Sequence, residues 1–257
     1  MTEEYELILA CLLHDIGKIN QRVMGGNHAN IGGKFVENLV NIPEKSRKVV
    51  MDLVSNHHNE YYNGPSLDIL NILKLADRKS AGHDRTDRDS ISMSNKEFFM
   101  VNPFSAISKE SLKLIYGCEK SLQNISEREE LLPIARLSSL SEIIYGNFLE
   151  GGRELKAENR SLDNPKKSMD EIWNDLKRDL MGLQFYEGNW RQYINNILNI
   201  LEEYTRLIPS AYYYSYPTVS LYDHLKLTSA LALSLYRGDR SNPSFLLIGG
   251  EFQGIQN

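Results

Sequence analysis

The chain has 257 residues, 41% of them hydrophobic and 25% charged, enough to bury a sizeable core as one large domain or two modest ones. Its formal net charge of -5 excludes a protein that is basic all over, so a nucleic-acid site would need a local patch, a metal or partner subunits. Two cysteines, Cys11 and Cys118, offer neither a disulfide framework nor a zinc knuckle. The start Met1-Thr2-Glu3-Glu4 lacks a signal peptide's basic opening, and no apolar run is long enough to span a bilayer; a cytoplasmic protein away from membranes is expected.

The first eighty or so residues read as successive helices. Tyr5 to Leu13 is an apolar run that ends in His14-Asp15-Ile16-Gly17-Lys18; Gly17 is expected to end this helix by its backbone freedom, with Lys18 at the helix C-terminus. Ile31, Phe35, Val36 and Leu39 follow at helical spacing. Pro43 opens a stretch with Val49, Val50, Leu53 and Val54 on one side, leading into His57-His58. After the Asn63-Gly64-Pro65 turn, Ser66 is expected to cap a helix carrying Leu67, Ile69, Leu70, Ile72, Leu73 and Leu75, which runs on through Asp77, Arg78 and Lys79.

Residues 83–96 are polar and charged without an apolar period, and read as an exposed linker. Phe98 to Val101 reads as a short strand, and helical patterns return around Leu131 to Leu149 before a polar segment to Asn164. Ser168 to Leu183 and Asn189 to Leu207 read as helices, and Pro209 with Tyr212-Tyr213-Tyr214 breaks the pattern. Ser220 caps a further helix from Leu221 to Tyr236. Phe245 to Ile248, between Pro243 and Gly249-Gly250, reads as a buried strand. A core strand so close to the last residue suggests a chain that stops part-way into a domain. The fold class expected is mainly α, with no internal repeat.

The histidines are unevenly spread: four of the six, His14, His28, His57 and His58, fall in the first quarter. Each has an ordinary explanation. His14-Asp15 can be a helix-end pair, His28 a loop residue, His57-His58 a solvated helix end, and Asp77 an ion-pair partner of Lys74 or Arg78. Together they supply three to six nitrogen and oxygen ligands, which suits one or two borderline transition metals better than calcium. Such a site activates water and neutralises phosphate charge in phosphodiester hydrolysis.

Leu13-His14-Asp15-Ile16-Gly17-Lys18 resembles the signature of the HD superfamily of metal-dependent phosphohydrolases. With Gly26-Asn27-His28, Asn56-His57-His58 and Leu75-Ala76-Asp77-Arg78-Lys79-Ser80, the order and spacing resemble the permuted HD domain of the large signature subunit of type III CRISPR-Cas effector complexes, the III-A branch most closely. Ser220 to Ala230 is similar to the stretch leading into that family's first palm domain, and Leu246 to Gln256 to the palm's opening strand, though Glu251 and Gln253 stand where Asp and Ser are expected.

The resemblance implies an HD-type nuclease domain over 1–90, a helical connecting region over 91–240, and the start of a truncated α/β palm domain over 241–257. It implies cleavage of single-stranded DNA in antiviral defence, alongside the other subunits of an RNA-guided complex, with one or two manganese, nickel or cobalt ions. His14, Asp15, His57 and Asp77 would hold the metal, with His28 and His58 completing the shells; His14, Asp15 and Lys18 would serve catalysis. Arg78, Lys79 and Arg85 would follow the strand's backbone. HD enzymes usually carry a further metal histidine before the doublet, and only thirteen residues precede His14. His224 in the 220–236 helix either returns to complete the site and close the fold, or ties that helix start to a neighbouring domain. The family's cyclic-oligoadenylate synthesis needs a Gly-Gly-Asp-Asp motif that this sequence lacks, so that activity is not expected of it. Two rival readings are a nucleotide phosphohydrolase and a non-catalytic docking module.

Overall fold

The computed structural model describes residues 2–81, 98–100, 134–136, 164–211 and 219–239. Among these the chain is helical and forms no strand. Helix α1 (Thr2–Leu13) buries every residue from Glu6 to Leu13, as a helix that is apolar all round must. Burial pushes the Cys11 thiol pKa up, so this cysteine is an inert core side chain.

After α1 the backbone makes a tight turn, with Ile16 N–H on the Leu13 carbonyl and Lys18 N–H on the Asp15 carbonyl, and re-enters a helix at once, α2 (Lys18–Met24). This corrects two expectations. Gly17 has φ -64° and needs no special backbone freedom. Its missing side chain matters for space: a Cβ there would stand 2.1 Å from the His28 carbonyl oxygen and 2.8 Å from the Gly32 nitrogen. Lys18 correspondingly opens α2 and does not end α1. The true left-handed pair is Gly25 and Gly26, at φ 76° and 95°, which lets the chain reverse into the next helix.

Helix α3 (His28–Glu37) is capped by Asn27, whose side chain accepts from the N–H groups of Ala29 and Asn30. Helix α4 (Glu44–Asn56) follows Pro43 and ends at His57. Helix α5 (Leu67–Ser80) follows Ser66, whose side chain makes no capping hydrogen bond, a third correction. Then come α6 (Pro165–Gly182), α7 (Trp190–Thr205) and α8 (Leu221–Arg237), the last capped by Ser220 accepting from the Asp223 N–H.

Helix α1 is the axis of the assembly, touched by α4, α5, α7 and α8, while α3 packs on α4 and α6 lies across α2 and α7. One continuous apolar core runs from Leu7 and Leu12 through Leu53, Leu70, Leu176 and Ile197 to Leu225 and Leu235. Helix α8, remote in sequence, packs along α1 and α5, and Tyr236 and Arg237 reach Glu3 and Glu4 at 2.9 Å and 2.5 Å. Asn41 fastens α6 by donating to the carbonyls of Leu180 and Leu183, and accepts from the Tyr193 hydroxyl. Phe98 and Phe99 join the core without pairing as a strand. Val101, the helical patterns at 131–149 apart from residues 134–136, and the strand expected at 245–248 lie outside the described residues.

Gly17→Ala should therefore cost about 3 kcal/mol or more, because both obstructing atoms are backbone and cannot rotate away. A urea-unfolding midpoint close to that of the parent chain would contradict the close approach.

Candidate metal centre

The site forms where α1, α3, α4, α5 and α8 converge. Asp15, in the turn after α1, lies at its middle. His14 comes from the same turn, His28 opens α3, His57 and His58 follow α4, Asp77 lies in the last turn of α5, and His224 in the first of α8.

Two ligand sets share Asp15. In the buried set, His14 Nε2 lies 3.4 Å from Asp15 Oδ2 and 3.5 Å from Asp77 Oδ1, and His224 Nε2 lies 3.4 Å and 3.2 Å from the same two atoms. In the more open set, Asp15 Oδ1 lies 3.2 Å from His28 Nε2 and 3.7 Å from His57 Nε2, while the Nε2 atoms of His28 and His58 stand 3.0 Å apart. Four ligand atoms in each set lie within 4.8 Å of one another. Ligands held about 2.1 Å from one cation stand roughly 3.0–3.4 Å apart, close to these spacings.

The nitrogens are prepared for a cation. His14 Nδ1 donates to the Cys11 carbonyl at 2.8 Å, and His57 Nδ1 to the Val54 carbonyl at 2.7 Å, which turns each Nε2 inward. The Nε2 atoms of His14, His57 and His224 are buried with no hydrogen-bond partner. Buried polar atoms are rarely left in that state, and a divalent ion is the group this donor set fits.

Charge is tightly coupled here. Burial opposes a charged His14, but Asp15 and Asp77 outweigh it and push its pKa up to about 10. Burial also raises the Asp15 carboxyl, yet the Lys18 ammonium 2.5 Å away, and then His14, hold it well below the usual carboxylate range. Asp77 is held low in the same way by His14 and His224 against its burial. Burial keeps His57 neutral against the pull of Asp15, and burial with His57 and His28 beside it pushes His58 down to about 4.

The structure thus brings His14, Asp15, Lys18, His28, His57, His58, Asp77 and His224 together. Asp77 pairs with His14 and His224, where the sequence offered Lys74 or Arg78. Arg78 and Lys79 are exposed on α5 just beyond Asp77 and do not enter the ligand sets; Arg85 and His83 lie outside the described residues. Two side chains behind the site were not singled out from sequence. Ser80 Oγ stands 3.2 Å from His224 Nδ1 and 2.7 Å from Thr228 Oγ1. Their only signal was spacing: Ser80 three residues after Asp77, and Thr228 four after His224.

Binding of a divalent ion by the buried set requires the His14 proton to leave. Its affinity should rise roughly tenfold per pH unit from about pH 6 to about pH 8, with about one proton released. The open set should depend on pH less, since His57 and His58 are already neutral there. Calorimetry in buffers of different ionisation enthalpy counts the protons; two steps that both ignore pH would contradict the assignment.

The HD domain family profile matches residues 1–82, ending before α8. A CRISPR system single-strand-specific deoxyribonuclease Cas10/Csm1 (subtype III-A) from Thermococcus onnurineus is 26% identical, over 97% of this chain and 30% of its own length. The protein of the same name from Methanocaldococcus jannaschii is 26% identical over 90% of this chain and 28% of its own length. The chain thus spans under a third of the length of the curated relatives it matches. Its fold resembles the crystal structure of Csm1 in T. onnurineus (TM-score 0.50, 18% identity) and that of a Csm1–Csm4 cassette in complex with pppApApA (TM-score 0.51, 19% identity). Each covers 91% of this chain and 28% of the solved one. The chain carries an HD domain and is homologous, over most of its length, to the Cas10/Csm1 proteins of type III-A CRISPR systems.

Proposed function

We propose that the chain is the metal-dependent nuclease module of a type III CRISPR effector protein, hydrolysing phosphodiester bonds of single-stranded DNA. The observation that carries this reading is the pair of His/Asp sets joined through Asp15, with three buried Nε2 atoms that make no hydrogen bond and face carboxylate oxygens 3.2–3.7 Å away. The names of the curated relatives supply the substrate class. One or two manganese, nickel or cobalt ions held there would lower the pKa of a water and neutralise charge on the phosphate.

The residues divide the work by position. His14, Asp77 and His224 close the buried side, and Asp15 faces both sets. His58 is exposed and His28 partly so, which makes this the side from which a strand approaches. Lys18 fixes the Asp15 carboxylate and sits, partly exposed, where it can pair with a phosphate oxygen. Arg78 and Lys79, just beyond Asp77 on α5, and Arg85 further along the sequence would offer sequence-independent backbone contacts.

In this reading residues 1–90 and the returning α8 make up the HD domain, the rest of 91–240 connects it onward, and 241–257 begins a palm domain. Docking to other effector subunits is supported by the Csm1–Csm4 cassette whose fold the chain resembles. No helix among the described residues is long and apolar enough to cross a membrane.

The test is incubation of the chain with single-stranded DNA and manganese, nickel or cobalt, beside Asp15→Ala and His58→Ala. Asp15→Ala should lose cleavage by about 100-fold or more, since it removes a ligand from both sets; His58→Ala, at the exposed rim, should lose about tenfold with its fold intact. Hydrolysis of mononucleotides without cleavage of DNA would favour the nucleotide phosphohydrolase. Ion uptake without either reaction would favour a docking module.

A further inference from the structure

His14, His57 and His224 each present a buried Nε2 to the site, and the fold fixes the opposite ring nitrogen in two ways. His14 and His57 set Nδ1 against backbone carbonyls three residues earlier. A carbonyl only accepts, so it fixes a hydrogen on Nδ1. His224 faces a hydroxyl, Ser80 Oγ, at 3.2 Å. A hydroxyl donates as well as accepts, so by itself it leaves the imidazole tautomer open.

The neighbours of Ser80 remove that freedom. The Asp77 carbonyl, 2.9 Å away, can only accept, and this contact assigns the single Ser80 hydroxyl hydrogen to it. Thr228 Oγ1, 2.7 Å away and fully buried, must then be the donor toward Ser80 Oγ. Ser80 Oγ is left as an acceptor facing His224 Nδ1, which has to carry the hydrogen. Ser80 lies one turn beyond Asp77 on α5, and Thr228 one turn beyond His224 on α8. The same hydroxyl therefore joins two candidate ligands supplied by chain segments more than 140 residues apart.

We propose that Ser80, backed by Thr228, is the positioning residue of His224. It keeps a hydrogen on Nδ1 and so leaves Nε2 as the nitrogen available to a cation beside Asp15 and Asp77, and the buried set is complete only when α8 is docked on α5. The consequence for metal rests on the reading under Proposed function; the hydroxyl contact itself needs no ion.

The 257-residue chain is compared with Ser80→Ala and Ser80→Thr in two measurements. In the first, without metal, imidazole N–H resonances are followed by NMR. The parent and Ser80→Thr should show a slowly exchanging His224 Nδ1–H, and Ser80→Ala should lose it. In the second, manganese is titrated by calorimetry. Ser80→Ala should weaken by about tenfold or more the one binding step that His224→Ala abolishes and leave the other step alone, and Ser80→Thr should restore the weakened step. A His224 Nδ1–H unchanged in Ser80→Ala overturns the positioning role. So does equal weakening of both steps accompanied by a lower melting temperature, the mark of a merely structural contact. If the parent chain takes up no manganese while the Nδ1–H signal behaves as stated, the positioning role is supported and the metal reading fails.

Discussion

A carboxylate buried at the meeting point of five helices is the constraint around which this fold is arranged. Asp15 is almost wholly out of water, yet it has Lys18, His14, His28, His57 and His224 within reach of its two oxygens. An isolated buried charge would be unaffordable, so the surrounding helices have to bring compensating groups to it and hold them there. That requirement explains otherwise odd features of the packing. Helix α1 is apolar on every side because it must be gripped all round to fix the turn that follows it. Gly17 is bare because α3 has to approach that turn backbone to backbone for His28 to reach Asp15.

The compensating groups arrive by two routes with different dependence on the whole fold. His14 and His57 are oriented by carbonyls of their own local chain, so their ring positions form with α1 and α4. His224 is oriented from another helix, and its position exists only after the chain has returned across α1 and α5. The open set is accordingly built from neighbouring segments of the first sixty residues, while the buried set needs a long-range closure. The family profile ends at residue 82, beyond the last residue of the local set and before α8.

This division also tracks what the sequence made legible. His14, Asp15, His57, His58 and Asp77 stood out because imidazoles and carboxylates clustered on otherwise apolar helices are unusual. Their assembly into two sets sharing Asp15 did not, since periodicity places a residue on a face without saying what the face meets. Helix α2 was missed because its seven residues carry little apolar pattern, with only Ile19 and Arg22 buried. Gly17 was misread for a related reason: sequence shows that a side chain is absent, and only the packing shows whether space or backbone angle demanded it. Ser80 and Thr228 gave almost no signal, because hydroxyls near helix ends are common and most serve no more than local bonding.

The net charge of -5 sets a problem for any chain meant to hold a polyanion. Without ions the centre deepens it: two buried carboxylates face a single lysine and one histidine that stays protonated because of them. Divalent ions in the two sets would reverse the local sign at the exposed edge near His28 and His58, where a phosphate could then approach. A metal so placed would do more than activate water. It would make attraction of the strand conditional on an assembled centre, and assembly of the buried half is what the return of α8 provides.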